Sequence, residues 1–361
     1  MSDSPTTRIL DATANRVLEG LRVVEDYTRF VLDDAHLTQL LKQLRHALAD
    51  ACETLPTSQR HAARDTEQDV GTKISTKNET ARADAWDVCR ASCERVKQSL
   101  RSLEEYSKVA SPTLAAKLEA LRYQFYTIER SLTSTQDNRL RLRGASLCVL
   151  IDGCDSLEAF TAKTQALIDA GVPMIQLRDK QLGDAELMQR AKVLVRLARS
   201  SDKPSPNPSL QGRGTTLIIV NDRPDIAAAA DADGVHLGQD DLTVKDARTI
   251  LGPHKLIGVS THNLQQARAA VLDGADYLGA GPTFPSTTKE FTALAGPEFL
   301  KQLAAEISLP TFAIGGIDAQ NLAKVLAIGI SRVAVSGAVA GAANPRETAS
   351  QLLKLLSAEA P

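Results

Sequence analysis

Two patterns of apolar positions divide the chain near residue 144. In the first part, apolar residues recur at spacings of three and four, as at Val17, Leu21 and Val24, which predicts amphipathic helices. The segments with this period are residues 6–31, 35–54, 82–109 and 112–132. The polar stretch 56–81 lies between the second and third of them and predicts a long loop.

From about residue 145, short β-rich runs alternate with helical segments. The strand-like runs are SLCVLI, PMIQL, LIIV, GVHL, LIGVS, DYLGA, TFAIG and RVAVS. Alternation of this kind predicts a parallel sheet, and eight strand–helix units in this length predict a (β/α)8 barrel. A doubly wound sheet is the alternative. We therefore expect an α/β fold, with a TIM barrel in residues 144–361 preceded by an all-α helical domain in residues 1–143.

Composition narrows the class of protein. The chain is 43% apolar and 24% charged, with a net charge of −2, which is typical of a soluble globular protein and gives no support for nucleic-acid binding. No apolar run is long enough to span a membrane, and the first residues lack a signal-peptide pattern, so we expect a cytoplasmic protein. The five cysteines show no CxxC spacing, which favours buried free thiols over a metal pair at Cys89 and Cys93.

The helical part contains an internal repeat. RVLEGLRVVEDYTRF (16–30) aligns without gaps on RVKQSLRSLEEYSKV (95–109), with identical residues at six positions. The shared letters either reflect helix packing and Arg–Glu pairs three residues apart, or mark a functional surface. The first copy carries a denser polar set, which favours a role beyond packing: Asn15, Arg16, Glu19, Arg22, Glu25 and Asp26.

The active site of such a barrel lies at the carboxyl ends of the strands. Gly315 and Gly316 follow the seventh strand, and Ser336 with Gly337 follows the eighth. Small residues in these two turns allow backbone N–H groups to approach an anion, and this part of the barrel is a common phosphate site. The sequence therefore predicts phosphate binding there.

Two carboxylates follow neighbouring strands. Asp222 and Asp241 lie one strand–helix–strand unit apart and should reach the same rim, near Arg178, Lys180 and Lys289. This arrangement suggests Mg²⁺ bridging to a polyphosphate, because Mg²⁺ commonly takes one or two carboxylates plus substrate phosphates. The alternative for each aspartate is a helix N-cap. Asp240 is an alternative to Asp241.

Other polar rim residues allow different chemistry. Lys180 and Lys289 could be solvated side chains, Schiff-base nucleophiles or diphosphate ligands. Their position in polar loops favours a role as diphosphate ligands. His236 and His262 are candidate acid–base groups. No Asp or Ser is spaced along the sequence as a convincing partner for either histidine, so we expect structural roles for both.

Seven motifs in order over residues 145–355 resemble thiamine-phosphate synthases. They are QLRDK, VNDRPDIA, GVHLGQDDL, GVSTHN, DYLGAGPTFPSTTK, AIGGI and AVSGAV. The resemblance implies a transferase that joins hydroxymethylpyrimidine diphosphate to a thiazole phosphate, or to its 2-carboxy form, giving thiamine phosphate and pyrophosphate and, from the 2-carboxy form, also CO₂. It further implies that the pyrimidine diphosphate ionises and the thiazole nitrogen captures the cation.

The resemblance also assigns residues. The pyrimidine diphosphate would be held by Gln176, Leu177, Arg178, Asp179, Lys180, Asn221, Ser260 and Lys289, of which Arg178, Lys180, Ser260 and Lys289 would be catalytic. The thiazole phosphate would be held by Ser286, Thr287, Thr288, Gly316, Val335 and Ser336. Asp222 and Asp241 would hold Mg²⁺. The expected partners are thus small-molecule substrates, with neither nucleic acid nor membrane, and a homo-oligomer is compatible with the sequence.

One segment departs from the family pattern. The Pro-, Ser- and Gly-rich insertion 201–215 avoids every motif, and we expect it to be mobile and remote from the chemistry.

The barrel has an alternative function, as a thiazole-phosphate isomerase or a regulatory phosphate-binding barrel. Such a protein would not need the two aspartates and two lysines of the rim.

The amino-terminal part resembles a helical domain that is fused to some of these synthases. The resemblance rests on RILDATANRVLEGLRVVEDYTRF and on a DVGTK loop at 69–73, and it implies phosphorylation of hydroxymethylpyrimidine phosphate. No GxxxxGK[ST] pattern occurs in residues 1–143, so a kinase there would need another phosphate cradle, such as Arg16, Arg22 and Lys73. A docking or dimerisation bundle is the alternative.

Overall fold

The computed structural model describes residues 4–53, 57–64, 81–200, 216–285 and 294–358. The chain divides into two compact units, residues 1–132 and 133–361. Each unit is described by itself. Lys73, the insertion 201–215 and the segment Ser286 to Lys289 lie outside the described residues.

The first unit is helical, as the apolar period predicts. Its helices are α1 (Ser4–Phe30), α2 (Ala35–Glu53), α3 (Thr57–Ala62), α4 (Ala85–Ala110) and the first part of α5 (Pro112–Arg141). The short helix α3 lies inside the segment predicted as a loop, so that prediction is wrong for residues 57–62. Six residues hold too little periodic pattern for such a helix to be recognised.

Helices α1 and α4 pack closely and run antiparallel. A Cβ atom at Gly20 would lie 2.8 Å from Val96 Cγ2, so glycine permits the approach. The rings of Tyr27 and Trp86, near opposite ends of the two helices, lie 5.4 Å apart. Val17, Leu21, Val24, Val96, Leu100 and Leu103 are buried on the facing sides. The helices that carry the two copies of the repeat thus pack against each other, and the two copies meet near Gly20 and Val96.

The polar set of the first repeat copy divides by exposure. Asn15, Arg16, Glu19, Arg22 and Asp26 are exposed, and only Glu25 is buried. An exposed polar face costs a packing helix nothing. The density of this set is therefore not in itself a sign of function.

The second unit is a closed barrel of eight parallel strands. The strands are β1 (Leu147–Ile151), β2 (Met174–Leu177), β3 (Leu217–Asn221), β4 (Gly234–Leu237), β5 (Leu256–Thr261), β6 (Tyr277–Ala280), β7 (Thr311–Ile314) and β8 (Val333–Val335). Each strand pairs in parallel with the next, and β8 returns to β1. The predicted α/β barrel preceded by helices is confirmed.

Helices follow the strands around the barrel. They are α6 (Leu157–Asp169), α7 (Asp184–Arg199), α8 (Pro224–Ala229), α9 (Val244–Leu251), α10 (Leu264–Asp273), α11 (Gly296–Glu306), α12 (Leu322–Leu326), α13 (Gly337–Ala340) and α14 (Pro345–Ala358). The short helix α13 opens directly at the turn after β8 and precedes the predicted helix α14. Within the residues described, no helix is both long and apolar enough to cross a membrane.

The barrel interior changes from apolar to polar along the strands. Its lower part is a cluster of buried side chains that includes Cys148, Leu150, Met174, Leu217, Ile219, Leu256, Tyr277 and Phe312. Side chains two residues apart on a strand share a face. Gln176, two residues after Met174, and Asn221, two residues after Ile219, therefore point to the interior near the carboxyl ends. The fold thereby places a polar layer on top of the apolar core.

All five cysteines are free. Cys52, Cys89, Cys93 and Cys148 are buried, and Cys154 is partly exposed. No group of three or more His, Cys, Asp or Glu side chains in the described part of the chain is arranged to hold a metal ion.

Candidate active site

The polar layer begins with an amide pair. Gln176 Nε2 donates a hydrogen bond of 2.7 Å to Asn221 Oδ1, which joins the ends of β2 and β3. Gln176 is buried, and Asn221 is partly exposed. The bond fixes both amides, because one oxygen and one nitrogen are committed to each other. The bond leaves the Gln176 oxygen and the Asn221 nitrogen outside the pair.

A histidine–serine pair continues the layer on β4 and β5. His236 Nε2 lies 2.9 Å from Ser260 Oγ, and His236 Nδ1 lies 3.2 Å from the hydroxyl group of Tyr277. The expectation that His236 has no serine partner is therefore wrong. The two residues are 24 apart in sequence, and only the register of neighbouring strands brings them together. Tyr277 had no sequence signal beyond that of a core aromatic residue.

His262 has a different environment. It is exposed, and its Nδ1 atom lies 2.6 Å from the carbonyl oxygen of Gly281. That contact ties the end of β5 to the segment after β6. The geometry agrees with a structural role for this histidine.

The two predicted metal-ligand carboxylates lie together. Burial, followed by the hydrogen-bonding contact and negative charge of Asp241, raises the pKa of Asp222 to about 6, against the opposing effect of Lys180 and Arg178. Asp222 has a φ of 60°, in the left-handed region that aspartate tolerates, and its N–H group donates to His236 O at 2.8 Å. This backbone conformation directs the carboxylate across the rim toward the β4 loop.

Asp241 is held in place by the backbone of its own loop. Its Oδ2 atom accepts a hydrogen bond of 2.6 Å from Gly238 N. The N-cap of α9 is Thr243, and no side-chain cap bond is made at the start of α8, so neither aspartate serves as a helix cap. Asp241, and not Asp240, is the carboxylate that affects Asp222.

Cations surround this pair. Lys180 Nζ lies 3.8 Å from Asp222 Oδ2, with the lysine side chain 63% exposed. Arg178 influences both Asp222 and His236 through its charge. Its guanidinium makes no hydrogen bond or ion pair with any other residue that the structure describes. Lys289 lies outside the described residues.

Asp179 and Leu177 shape the loop around these cations. Although burial opposes it, three backbone hydrogen bonds hold the pKa of Asp179 below its ordinary value. Their donors are Gly153 N, Gln181 N and Leu182 N. The Leu177 side chain is buried. Contact of either residue with substrate would therefore run through the backbone, since both side chains are already engaged.

The opposite side of the rim is formed by the turns after β7 and β8. Gly316 has a φ of 62°, and a Cβ atom there would lie 2.3 Å from the carbonyl oxygen of Pro285. Val335 is buried, and Ser336 directly precedes α13. The first N–H groups of α13 lack partners within the helix, as at any helix start. Ser286, Thr287 and Thr288, which were predicted to share this site, lie outside the described residues.

Both parts of the chain are similar to known families. A family model described as thiamine monophosphate synthase matches residues 147–339. A model described as the ThiD2 family matches residues 8–131. The two matches correspond to the barrel and to the helical unit.

Relatives cover nearly the full length. The thiamine-phosphate synthase of Rhodopirellula baltica is 42% identical over 97% of this chain and 92% of its own, and that of Synechocystis is 40% identical over 98% of each. The solved structure of a thiamine phosphate pyrophosphorylase from Pyrococcus furiosus matches with a TM-score of 0.51 and 32% identity, covering 60% of this chain and 98% of that one. The chain belongs to the thiamine-phosphate synthase family, enzymes of thiamine biosynthesis, and carries a ThiD2-family region ahead of its barrel.

Proposed function

We propose that the rim of the barrel joins hydroxymethylpyrimidine diphosphate to thiazole phosphate, and that it does so with Mg²⁺ held by Asp222 and Asp241. The observation that carries this proposal is the meeting of these two carboxylates beside Lys180 and Arg178. A thiazole-phosphate isomerase or a regulatory barrel would have no use for two facing carboxylates flanked by cations.

The residues present fit a magnesium ion. Two carboxylates that lie close enough to raise the pKa of one of them form a site where a cation relieves repulsion. Both supply oxygen ligands, and two carboxylates with substrate phosphates are a usual Mg²⁺ environment. Mg²⁺ bound there would supply positive charge to the diphosphate.

Departure of pyrophosphate requires that the pyrimidine diphosphate be oriented and that positive charge lie near its phosphates. In this proposal Gln176 and Asn221 orient the pyrimidine diphosphate, and Arg178 with Lys180 neutralises the negative charge that develops on the departing pyrophosphate. Lys289 would add a third cation. The amino-pyrimidine ring stabilises the cation left behind, so no protein nucleophile is required.

The second substrate completes the reaction. Gly316, Val335 and Ser336, together with Ser286, Thr287 and Thr288, would hold the phosphate of the thiazole. A fixed phosphate directs the thiazole nitrogen at the pyrimidine CH₂ group, which replaces a random encounter by a positioned one. The new C–N bond then gives thiamine phosphate.

We propose that the helical domain predicted for residues 1–143 makes the diphosphate from the monophosphate with ATP. The match of residues 8–131 to the ThiD2 family supports this activity over a docking role. Within the suggested cradle, Arg16 is exposed and Arg22 donates to Glu25 at 3.4 Å. We also propose a cytoplasmic location, which the five free cysteines support.

One experiment on the purified full-length protein tests both proposals. One tube receives hydroxymethylpyrimidine diphosphate, thiazole phosphate and Mg²⁺, and a second receives the monophosphate and ATP in place of the diphosphate. We expect thiamine phosphate in both tubes, and none in either after chelation of Mg²⁺. Product from the diphosphate alone would overturn the kinase proposal, and no product from folded protein would overturn the synthase proposal. Full activity of the first tube in a chelator would contradict the metal assignment.

A further inference from the structure

We propose that Tyr277 and His236 fix the hydroxyl group of Ser260 as a hydrogen-bond donor toward the pyrimidine diphosphate. This inference rests on the proposed binding of that substrate at Ser260. It adds two positioning residues and assigns a direction to the hydrogen bond.

The chain of bonds starts at a buried phenol. Tyr277 is 3% exposed, and its ring packs edge-on against Phe312 with centroids 5.6 Å apart. Within the described residues, the hydrogen-bond partner of its hydroxyl group is His236 Nδ1, at 3.2 Å. A buried O–H group without an acceptor is costly, so the phenol donates its proton to Nδ1. That nitrogen must then be unprotonated.

The second step is the tautomer of His236. An imidazolium donates at both ring nitrogens, so an imidazole whose Nδ1 atom accepts the hydrogen bond from Tyr277 is neutral. A neutral imidazole that accepts at Nδ1 carries its proton at Nε2. Nε2 lies 2.9 Å from Ser260 Oγ and therefore donates to it.

The third step concerns the serine proton. Ser260 is partly exposed at the end of β5. Its oxygen is occupied as an acceptor by His236, and no acceptor for its own proton is found among the residues that the structure describes. Accepting one hydrogen bond also strengthens the donation of another. Ser260 therefore presents a donor to an acceptor atom of the substrate, whereas the opposite tautomer would make it an acceptor.

Two glycines hold the rings in this arrangement. A Cβ atom at Gly258 would lie 2.1 Å from Tyr277 Cζ, and one at Gly279 would lie 2.9 Å from His236 Cε1. Strands β5 and β6 thus lack side chains where the two rings lie. The rings have little freedom to exchange partners.

The tautomer can be measured directly. The full-length protein would be labelled with ¹⁵N-histidine, and the signals of His236 would be identified among the six histidines by their loss in His236→Gln. We expect a protonated Nε2 and an unprotonated Nδ1. A proton on Nδ1 would overturn the inference while leaving substrate binding at Ser260 untouched.

A double-mutant cycle tests whether Tyr277 acts through Ser260. We expect Tyr277→Phe to lower kcat about tenfold in the wild-type background and to have almost no further effect in Ser260→Ala, because coupled residues are not additive. His236→Gln, which keeps a donor and an acceptor, should retain more activity than His236→Leu. An equal loss from Tyr277→Phe in both backgrounds would show a merely structural role. Normal kinetics of Ser260→Ala would instead refute the proposed contact itself.

Discussion

Glu25 in α1 and Glu104 in α4 occupy equivalent positions in the repeat and make equivalent buried ion pairs. Glu25 accepts hydrogen bonds from Arg22 three residues earlier and from Arg45 in α2, the latter at 2.8 Å. Glu104 accepts from Arg101 three residues earlier and from Arg122 in α5, each at 2.7 Å. Two helix pairs, α1 with α2 and α4 with α5, are thus each joined by a buried glutamate of the repeat.

Replacing Glu104 should destabilise the helical unit strongly. Glu104→Gln leaves the Arg122 guanidinium, which is 7% exposed, with only the half-exposed carboxylate of Glu119 at 3.9 Å as a counter-charge, and loss of one partner of a buried pair costs about 3 kcal/mol or more. Urea unfolding followed by fluorescence measures this, because Trp86, the single tryptophan, lies in α4. Glu105→Gln is the control, since Glu105 is 44% exposed and exposed pairs contribute less than about 1 kcal/mol. Equal midpoints for the two variants would contradict the argument.

The repeat shows what the sequence predicts well and what it does not. The shared Arg22–Glu25 and Arg101–Glu104 spacings predict pairs within one helix, because residues three apart lie on the same face. The partners Arg45 and Arg122 were not predictable, since they depend on how α2 and α5 fold back on their neighbours. The spacing of apolar residues along the chain predicts the helices, whereas the contacts that bury a charge depend on tertiary packing.

Removing a rim carboxylate should stabilise the protein while it abolishes the synthase reaction. Folding raises the pKa of Asp222 from 3.8 to about 6, so between these values the folded state binds a proton that the unfolded state has lost. Stability therefore falls as pH rises through this window and stays lower above it. We expect Asp222→Asn to raise the Tm at pH 8 without Mg²⁺ by about 2–4 °C, and to lose this advantage below pH 4.

The control for this prediction is Asp240→Asn. Asp240 is exposed, and Asp241 is the neighbouring carboxylate that affects Asp222, so the control should change neither the Tm nor its pH dependence. Mg²⁺ should raise the Tm of the wild type and of the control but not that of Asp222→Asn. Scanning calorimetry with and without Mg²⁺ would check this. A Tm of metal-free Asp222→Asn below that of the wild type at pH 8 would refute the repulsion between Asp222 and Asp241.

Replacing Arg178 should lower kcat more than replacing Arg223, an arginine on the same rim. Arg178 makes no hydrogen bond within the part of the chain that is described, whereas Arg223 is bound by Asp184 and Asp225. If Arg178 meets charge that develops on pyrophosphate, Arg178→Gln should lower kcat about 100-fold. Arg223→Gln should change kcat by less than about threefold, because its charge is already paired. Steady-state kinetics with the diphosphate substrate would compare them, and similar losses would argue against a role specific to Arg178.

The candidate site was predictable where chain order alone brings residues together. Asp222 and Asp241 follow adjacent parallel strands, so the barrel topology suffices to place them on one rim. The bond between His236 and Ser260 was missed because it depends on strand register and on the space left by Gly279, where a Cβ atom would lie 2.9 Å from the imidazole. Neither quantity can be read from residue spacing.

Gly316 should be required for thiazole phosphate binding, and a second glycine provides a matched control. Gly316 and Gly329 have φ values of 62° and 99°, so alanine is strained at both positions. Only at Gly316 does a Cβ atom meet other residues, at 2.3 Å from Pro285 O and 2.8 Å from Phe284 O, whereas Gly329 has nothing within 4 Å. Gly329→Ala therefore measures backbone strain by itself, while Gly316→Ala must also displace the segment that leads to Ser286.

The two variants should differ both in kinetics and in stability. Each should lose about 1 kcal/mol from backbone strain, and Gly316→Ala should lose more, because its Cβ atom also has to displace the backbone at Pro285. Gly316→Ala should in addition raise the KM for thiazole phosphate about tenfold or more, because small displacements of a positioning segment have large effects on reacting geometry. The KM for the pyrimidine diphosphate should stay near its wild-type value, since that substrate is assigned to the opposite side of the rim. If Gly316→Ala and Gly329→Ala had the same KM for thiazole phosphate, the turn after β7 would not hold that substrate, and the phosphate would have to bind elsewhere on the barrel.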